Sequence, residues 1–445
     1  MSLPICPAPA LASDPAFLRT LAGDGLATLV QQHLAIGAQL LALAPDYVRW
    51  KDQDGSLLGF RATLRTTGED GPTTSYVTVR TAPAHRLADE AERLRHRAEE
   101  EQDGLRAFAF LPGERLLLLG FPMDRAMHDL RRLVRASKVR GLLANTCPNW
   151  QPADERFSKS RSRMRLVRYK PERRAVLQWL VGGVDAQGRA TAPRPIWLRC
   201  HAEAQATRAR VATEAAAAAG VRCPATLGIA HERLSIEAHV PGTVWAPSDH
   251  DGEWAIEAVA ATLSRLHAAT VPGAGLGRLP VHGTLAELDL VLRAAEDLAR
   301  LDPGLGRLAH RIGDELTRQV PANGALALAH GDLHPEQVLL DGPAVGFVDF
   351  DRACLAPAAH DLATLRAHAI AHGGEPGERV ARAVTTAYAR HRALPDAAEL
   401  AWWNACALLR TATGPFRRLD RDWPARTAAL LAAASTALPA VEERR

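Results

Sequence analysis

Residues 329–361 read AHGDLHPEQVLLDGPAVGFVDFDRACLAPAAHD, a stretch that gathers polar side chains between short apolar runs. His330, Asp332, His334 and Gln337 fall on one loop, braced by Gly331 and Pro335. A short strand at 338–340, a turn at Asp341-Gly342-Pro343 and a return strand at 345–348 then lead into Asp349-Phe350-Asp351. Strand formers broken by turn formers at this spacing predict a hairpin. The hairpin brings Asp332 and Asp349 to one place. Asp332 is placed to take a proton from an attacking hydroxyl. Asp349 and the amide oxygen of Gln337 offer the sparse oxygen set that Mg2+ takes, leaving its other positions to phosphate and water.

Working outward, the 445 residues exceed what one small core organises, and 47% hydrophobic with 23% charged residues describes an ordinary globular chain of two or three lobes. The first basic residue is Arg19, and no apolar run reaches the length of a membrane span, so a cytoplasmic protein without membrane contact is expected. Cys6, Cys147, Cys200, Cys223, Cys354 and Cys406 are scattered without CxxC spacing, which predicts reduced thiols. Residues 1–245 carry 34 Lys+Arg against 25 Asp+Glu, and 246–445 carry 20 against 25. A basic first part and a mildly acidic second part suit an anionic cofactor in one and carboxylates in the other. Solvated faces of unlike composition explain the asymmetry equally well.

Helical periodicity predicts an opening helical region over 17–43, capped by Asp14. Strands follow at 47–51, 58–65 and 75–81, then a charged helix over 86–101, then a hairpin over 108–121. The order recurs about 120 residues later. Val167-Arg168-Tyr169-Lys170 echoes Val48-Arg49-Trp50-Lys51, and strands at 175–181 and 195–199, a helix over 203–219 and a hairpin over 225–240 complete a degenerate duplicate. Beyond Trp245 the pattern is helical, interrupted by the hairpin of 329–351.

The ordered set His330-Gly331-Asp332-Leu333-His334-Pro335-Glu336-Gln337, Val348-Asp349-Phe350 and Asp361-Leu362 resembles the aminoglycoside phosphotransferase and choline kinase families. Their catalytic loop has the form HGDLHxxN and is followed by a strand-borne metal aspartate. The resemblance implies an α+β, bilobal protein-kinase-like fold: an N-terminal cap subdomain over 1–145, a β-rich nucleotide lobe over 146–244 and a helical lobe over 245–445. Length and domain order are similar to the maltokinase and glucosamine kinase branch. It implies ATP and Mg2+ as cofactors, Asp332 as base, Gln337 and Asp349 as metal ligands, and His330, His334 and Asp361 as supports of the loop. Gln337 departs from the usual asparagine.

The same resemblance asks for a phosphate clamp on the third strand of the nucleotide lobe, matched by Arg199 with Glu214, or else Glu203, on the next helix. Adenine then lies along Glu237-Ala238-His239-Val240. The phosphate-covering turn, Lys170-Pro171-Glu172-Arg173-Arg174, contains no glycine, so Lys170 or Arg173 is expected to replace a backbone cradle with side-chain charge. Residues 156–174 hold nine Lys+Arg and one acid, but few aromatics interleave, which argues against a nucleic-acid partner. Asp351, Trp402 and Arg410 are candidates for acceptor contact. The expected partner is a small-molecule hydroxyl acceptor, most simply a sugar, aminosugar or aminocyclitol, and the chain a monomer or homodimer. Two other readings use the same residues: a nucleotide-binding pseudokinase, and a metal-dependent hydrolase ligated by His330-x-Asp332-x-His334.

Overall fold

The computed structural model describes residues 24–438 except 52–54, 69–70, 98–99, 153, 248–251, 271–277 and 323. Asp14 and the 17–23 part of the expected opening helix lie outside the described residues. Two compact units divide the chain, residues 1–203 with 415–424, and 204–414 with 425–445.

In the first unit α1 (Asp24–Gln32) precedes the long strand β1 (Ala38–Lys51), then β2 (Gly55–Thr66), β3 (Thr73–Thr81) and α2 (Ala84–Leu94). Short strands β4 (Glu101–Gln102) and β5 (Leu105–Arg106) lead to the hairpin β6 (Phe108–Leu111) and β7 (Leu116–Gly120). These form an antiparallel sheet of order β1-β2-β3-β7-β6. The expected helix over 17–43 is therefore cut short. The helix ends at Gln32, the chain turns at Gly37, at φ +81°, and the Ala/Leu run after it pairs with β2. Strand pairing overrides the local helix propensity of alanine and leucine there. β2 and β7 supply the buried centre, with Leu57, Leu58, Phe60, Leu64 and Leu117 almost wholly enclosed.

After α3 (Ala136–Thr146) and β8 (Arg156–Phe157), the strands β9 (Arg163–Lys170), β10 (Arg174–Val181), β11 (Gly183–Val184) and β12 (Arg194–His201) follow. β10 pairs antiparallel with both β9 and β12. With α4 (Ala206–Ala218), β13 (Thr226–His231) and β14 (Leu234–Ala238), the order of three long strands, helix and hairpin occurs a second time, as the sequence echo predicted.

The second unit continues with β15 (Thr243–Val244), α5 (Glu253–His267), α6 (Thr284–Leu301), α7 (Pro303–Arg318), β16 (Leu326–Ala329), β17 (Val338–Asp341), β18 (Ala344–Phe347), β19 (Cys354–Pro357), α8 (Ala358–Tyr388), α9 (Ala397–Thr411) and α10 (Trp423–Ala437). α7 starts where the Asp302 carboxylate accepts the N–H groups of Gly304 and Leu305, with Pro303 preset for the first turn. α8 breaks at Gly374, at φ +58°. The apolar face of α5 is buried at Val259, Ala260, Leu263 and Leu266, against Leu328, Leu333, Phe347, Leu362 and Val384. Burial of each such side chain contributes about 1.5–3 kcal/mol. That core carries the polar turn on its edge.

Candidate active site

The polar turn leaves β16 at Ala329 and is held from below by a carboxylate. Asp361, in the first turn of α8 and fully buried, accepts the backbone N–H groups of His330 at 2.7 Å and Gly331 at 2.9 Å. Its oxygens also receive His267 Nε2 at 3.2 Å and His360 Nδ1 at 3.4 Å, and Tyr388 donates to His267 Nδ1 at 2.8 Å. These donors hold the Asp361 carboxyl well below the usual carboxylate range although burial alone would raise it. Gly331 sits at φ +81°, where an added Cβ would lie 2.0 Å from the Arg352 carbonyl oxygen. Glycine is the residue that this turn accepts. His330 is buried, with Nε2 2.9 Å from the Val348 carbonyl oxygen and its ring 4.7 Å from that of Phe350.

This turn presents Asp332, whose side chain keeps 28% of its surface and lies 3.8 Å from Arg352. Burial pushes its carboxyl up, but Arg352, His334 and His368 outweigh it and bring the value down to about 2. Asp332 is thus an anion throughout the neutral range, in reach of solvent. Gln337 and Asp349 lie beside each other in the interior: Gln337 Nε2 donates to Asp349 Oδ2 at 2.9 Å and stands 3.0 Å from His334 Nε2. An amide nitrogen can only donate, so His334 accepts through Nε2 and carries its proton on Nδ1. Both hydrogen bonds use the nitrogen end, which leaves Oε1 as the amide atom available to a cation. Asp349 takes the left-handed conformation, φ +73°, uncommon away from glycine and costly by roughly 1–3 kcal/mol. An anionic carboxylate and an amide oxygen fit a small hard cation. The HxDxH arrangement does not form as a ligand set, because His330 is committed to Val348 and enclosed among Phe347 and Phe350.

Around these residues the structure adds partners that the sequence reading did not single out. His368 stacks on His334 with ring centroids 4.8 Å apart, and His372 continues the stack at 6.1 Å. Burial and the neighbouring imidazoles push His368 down to about 3. His267, His360 and Tyr388 form the brace under the turn. The first of these stands 94 residues before its partner Asp361, a separation that no local pattern spans.

The other expected site residues divide. Asp351 is buried, and its backbone carbonyl accepts from Arg208. Trp402 is corrected: it is fully enclosed, with its indole N–H donated to the Leu316 carbonyl oxygen at 2.9 Å, and offers no face to an acceptor. Arg410 faces Glu287 at 2.7 Å, and Glu287, fully buried, also meets His282 at 2.7 Å. Arg410 and the two histidines His282 and His360 hold the Glu287 carboxyl down to about 2 in spite of its burial. Ligand atoms of His282, Glu287 and His360 lie within 4.8 Å of one another, but the guanidinium already neutralises the carboxylate, so the group is an ion-paired brace. Arg199 is buried on β12, and Glu237 is buried on β14 with His239 exposed just beyond it. Glu214 is corrected as the clamp glutamate: its side chain is 62% exposed on α4 and pairs with Arg210 one turn away. Lys170 and Arg173 flank the turn between β9 and β10, Lys170 half-buried and Arg173 exposed. No helix among the described residues is long and apolar enough to cross a membrane.

No curated protein matches the chain. Among solved structures, choline kinase from Cryptosporidium parvum is similar at 11% identity over 68% of this chain and 94% of that one, with a TM-score of 0.50. A macrolide 2'-phosphotransferase from Brachybacterium faecium matches at 16% identity over 69% and 99%, with a TM-score of 0.40. A choline/ethanolamine kinase family protein from Mesorhizobium loti matches at 16% identity over 69% and 95%, with a TM-score of 0.45. The model of the phosphotransferase enzyme family matches residues 191–394, the span from β12 to the end of α8, which contains the His330–Gln337 turn, Asp349 and Asp361. Residues 191–394 are thus similar to the phosphotransferase enzyme family, and the fold is that of the kinase-like phosphotransferases.

Proposed function

We propose that the protein transfers the γ-phosphoryl group of ATP, with Mg2+, to a hydroxyl of a small molecule, and that the acceptor is a sugar, aminosugar or aminocyclitol. The observation that carries this reading is the pairing of a solvent-reachable Asp332, ionised at neutral pH, with a buried Asp349–Gln337 couple, on a turn whose start is held by Asp361. In this reading Asp332 aligns the acceptor hydroxyl and takes its proton as the oxygen attacks phosphorus. Asp349 and Gln337 Oε1 hold the cation, which when bound neutralises charge on the transferred group. Lys170, Arg173 and Arg199 meet the donor phosphates, and Glu237 and His239 mark the adenine segment. The division into cap, nucleotide lobe and helical lobe at 145/146 and 244/245 belongs to the same reading, as does a cytoplasmic protein acting as monomer or homodimer.

A γ-phosphate transfer screen over monosaccharides, disaccharides, aminosugars, aminoglycosides and choline-like alcohols tests it. One acceptor phosphorylated by the wild type and not by D332N is expected. ATP binding with no transfer across the whole panel would favour the pseudokinase reading instead, for which the replacement of asparagine by Gln337 is the supporting observation.

A further inference from the structure

The turn between β9 and β10 contains the single acid in a run of nine cations, and the structure gives that acid an unusual place. Lys170 pairs with Arg174 across the hairpin, so Pro171-Glu172-Arg173 makes the turn. Glu172 sits at φ +55°, a conformation that favours glycine. The backbone alone therefore does not explain a glutamate there. Its side chain does: only 6% of it is exposed, and it is held by three arginines from three separate segments. Arg49 of β1 approaches at 2.7 Å, Arg80 of β3 at 3.2 Å, and Arg125, after β7, at 3.0 Å. Glu90 of α2 closes the set, 3.0 Å from Arg80 and 2.8 Å from Arg125. Asp124 then holds the main chain: one oxygen accepts the Glu172 N–H and the Tyr169 hydroxyl, each at 2.8 Å, and the other accepts the N–H groups of Ala126 and Met127. Three cations thus face two carboxylates, Glu172 and Glu90, while Asp124 takes main-chain N–H groups and the Tyr169 hydroxyl. The arginines hold the Glu172 carboxyl below its usual value against the opposing effect of burial.

We infer that Glu172 is a positioning residue for the phosphoryl donor: it is the carboxylate on which the N-terminal sheet grips the glycine-free turn, so that Lys170 and Arg173 are presented in a fixed arrangement. This rests on the kinase reading above. A glycine-rich loop lets backbone N–H groups close around phosphates and must be ordered when the nucleotide binds. A turn already ordered by Glu172 loses little freedom at that moment, and donor affinity is gained through preorganisation. The first sheet, which contains no catalytic motif, thereby acquires a task in donor binding.

The test uses the full-length chain with E172A, E172Q and R49M. Trypsin under native conditions reports on the turn, since the bond after Arg173 is cleavable there and Lys170 is followed by proline. Calorimetry with Mg2+ and ATP reports on donor affinity without any acceptor. The wild type is expected to resist cleavage after Arg173, whereas E172A is cut there and binds ATP about tenfold more weakly. E172Q, which keeps the shape but loses the charge, falls between them. With the acceptor found by the screen, KM for ATP rises while kcat at saturating ATP stays within about threefold, a split that general destabilisation does not produce. Where E172A does not fold, R49M carries the test with the same direction and smaller size. A turn opened to trypsin while ATP affinity stays within about twofold overturns the proposal, as does a turn that remains closed in E172A. A wild type that binds no ATP overturns the kinase reading, and the trypsin arm then decides alone whether Glu172 holds the turn.

Discussion

The turn at 330–337 and the hairpin turn at 171–173 are each held by one buried carboxylate, Asp361 and Glu172, yet the two are satisfied by different chemistry. Asp361 accepts backbone N–H groups and imidazoles, and no guanidinium takes part in those contacts. Glu172 is satisfied by three guanidinium groups, one of them on a side chain 47% exposed. A carboxylate that fixes main chain works over a few ångströms inside a sealed core, and its loss leaves amide groups unpaired. A carboxylate that gathers arginines shares its load among partners and stays open to salt. Under the proposed function, the first arrangement suits a turn whose atoms meet the reacting hydroxyl, and the second suits a turn that binds phosphate through side chains.

Breaking the stronger support gives the largest stability effect. D361A is expected to destabilise the protein by about 3–5 kcal/mol in denaturant unfolding, since it removes a buried, fully paired charge and leaves two backbone donors in an apolar site. G331A follows at about 1–3 kcal/mol, because it adds a Cβ at a positive φ against the Arg352 carbonyl. A thermal melt that matches the wild type would contradict that account of the turn.

The pH dependence of stability sharpens the comparison next. His368 beside the catalytic turn is held down to about 3, so the unfolded chain takes up its proton first as pH falls below the ordinary 6.5. Stability attributable to this residue is present above 6.5, declines by up to about 1.4 kcal/mol per pH unit on the way down, and levels off below about 3. Replacing His368 by phenylalanine should flatten that slope in urea titrations at pH 4–7; an unchanged slope assigns the acid loss elsewhere. The smallest effect is expected in the other turn. R125M removes the most exposed of the three arginines and should change stability by no more than about 1 kcal/mol. A larger loss would show that the three do not share the load.

The contrast also explains what the sequence made legible. His330 to Gln337 are contiguous, and a turn, a hairpin and a strand end are local events, so Asp332, Gln337 and Asp349 can be placed from spacing alone. Asp361 reaches the turn from 30 residues away, yet it lies at a helix start that the pattern also marks. The Glu172 network is of another kind. Its partners stand 123, 92 and 47 residues upstream, and a lone glutamate among arginines reads as a solvated charge run until the sheet is folded. Trp402 and Glu214 failed for a related reason: helical periodicity does not say that Trp402 and its neighbour Trp403 are both enclosed, nor whether a glutamate of an alanine-rich helix is covered. The 38–43 part of the expected opening helical region failed because alanine and leucine favour helix locally, while β2 offered an edge to pair with.

The central claim is that Asp332 acts on the acceptor and Asp349 on the metal-bound donor. Measuring ATP affinity and γ-phosphate transfer side by side for D332N and D349N tests it most directly. The account predicts that D332N binds Mg2+ and ATP like the wild type but transfers roughly 10² to 10⁴ times more slowly, whereas D349N loses the Mg2+-dependent part of its ATP affinity. Transfer by D332N at the wild-type rate would contradict it.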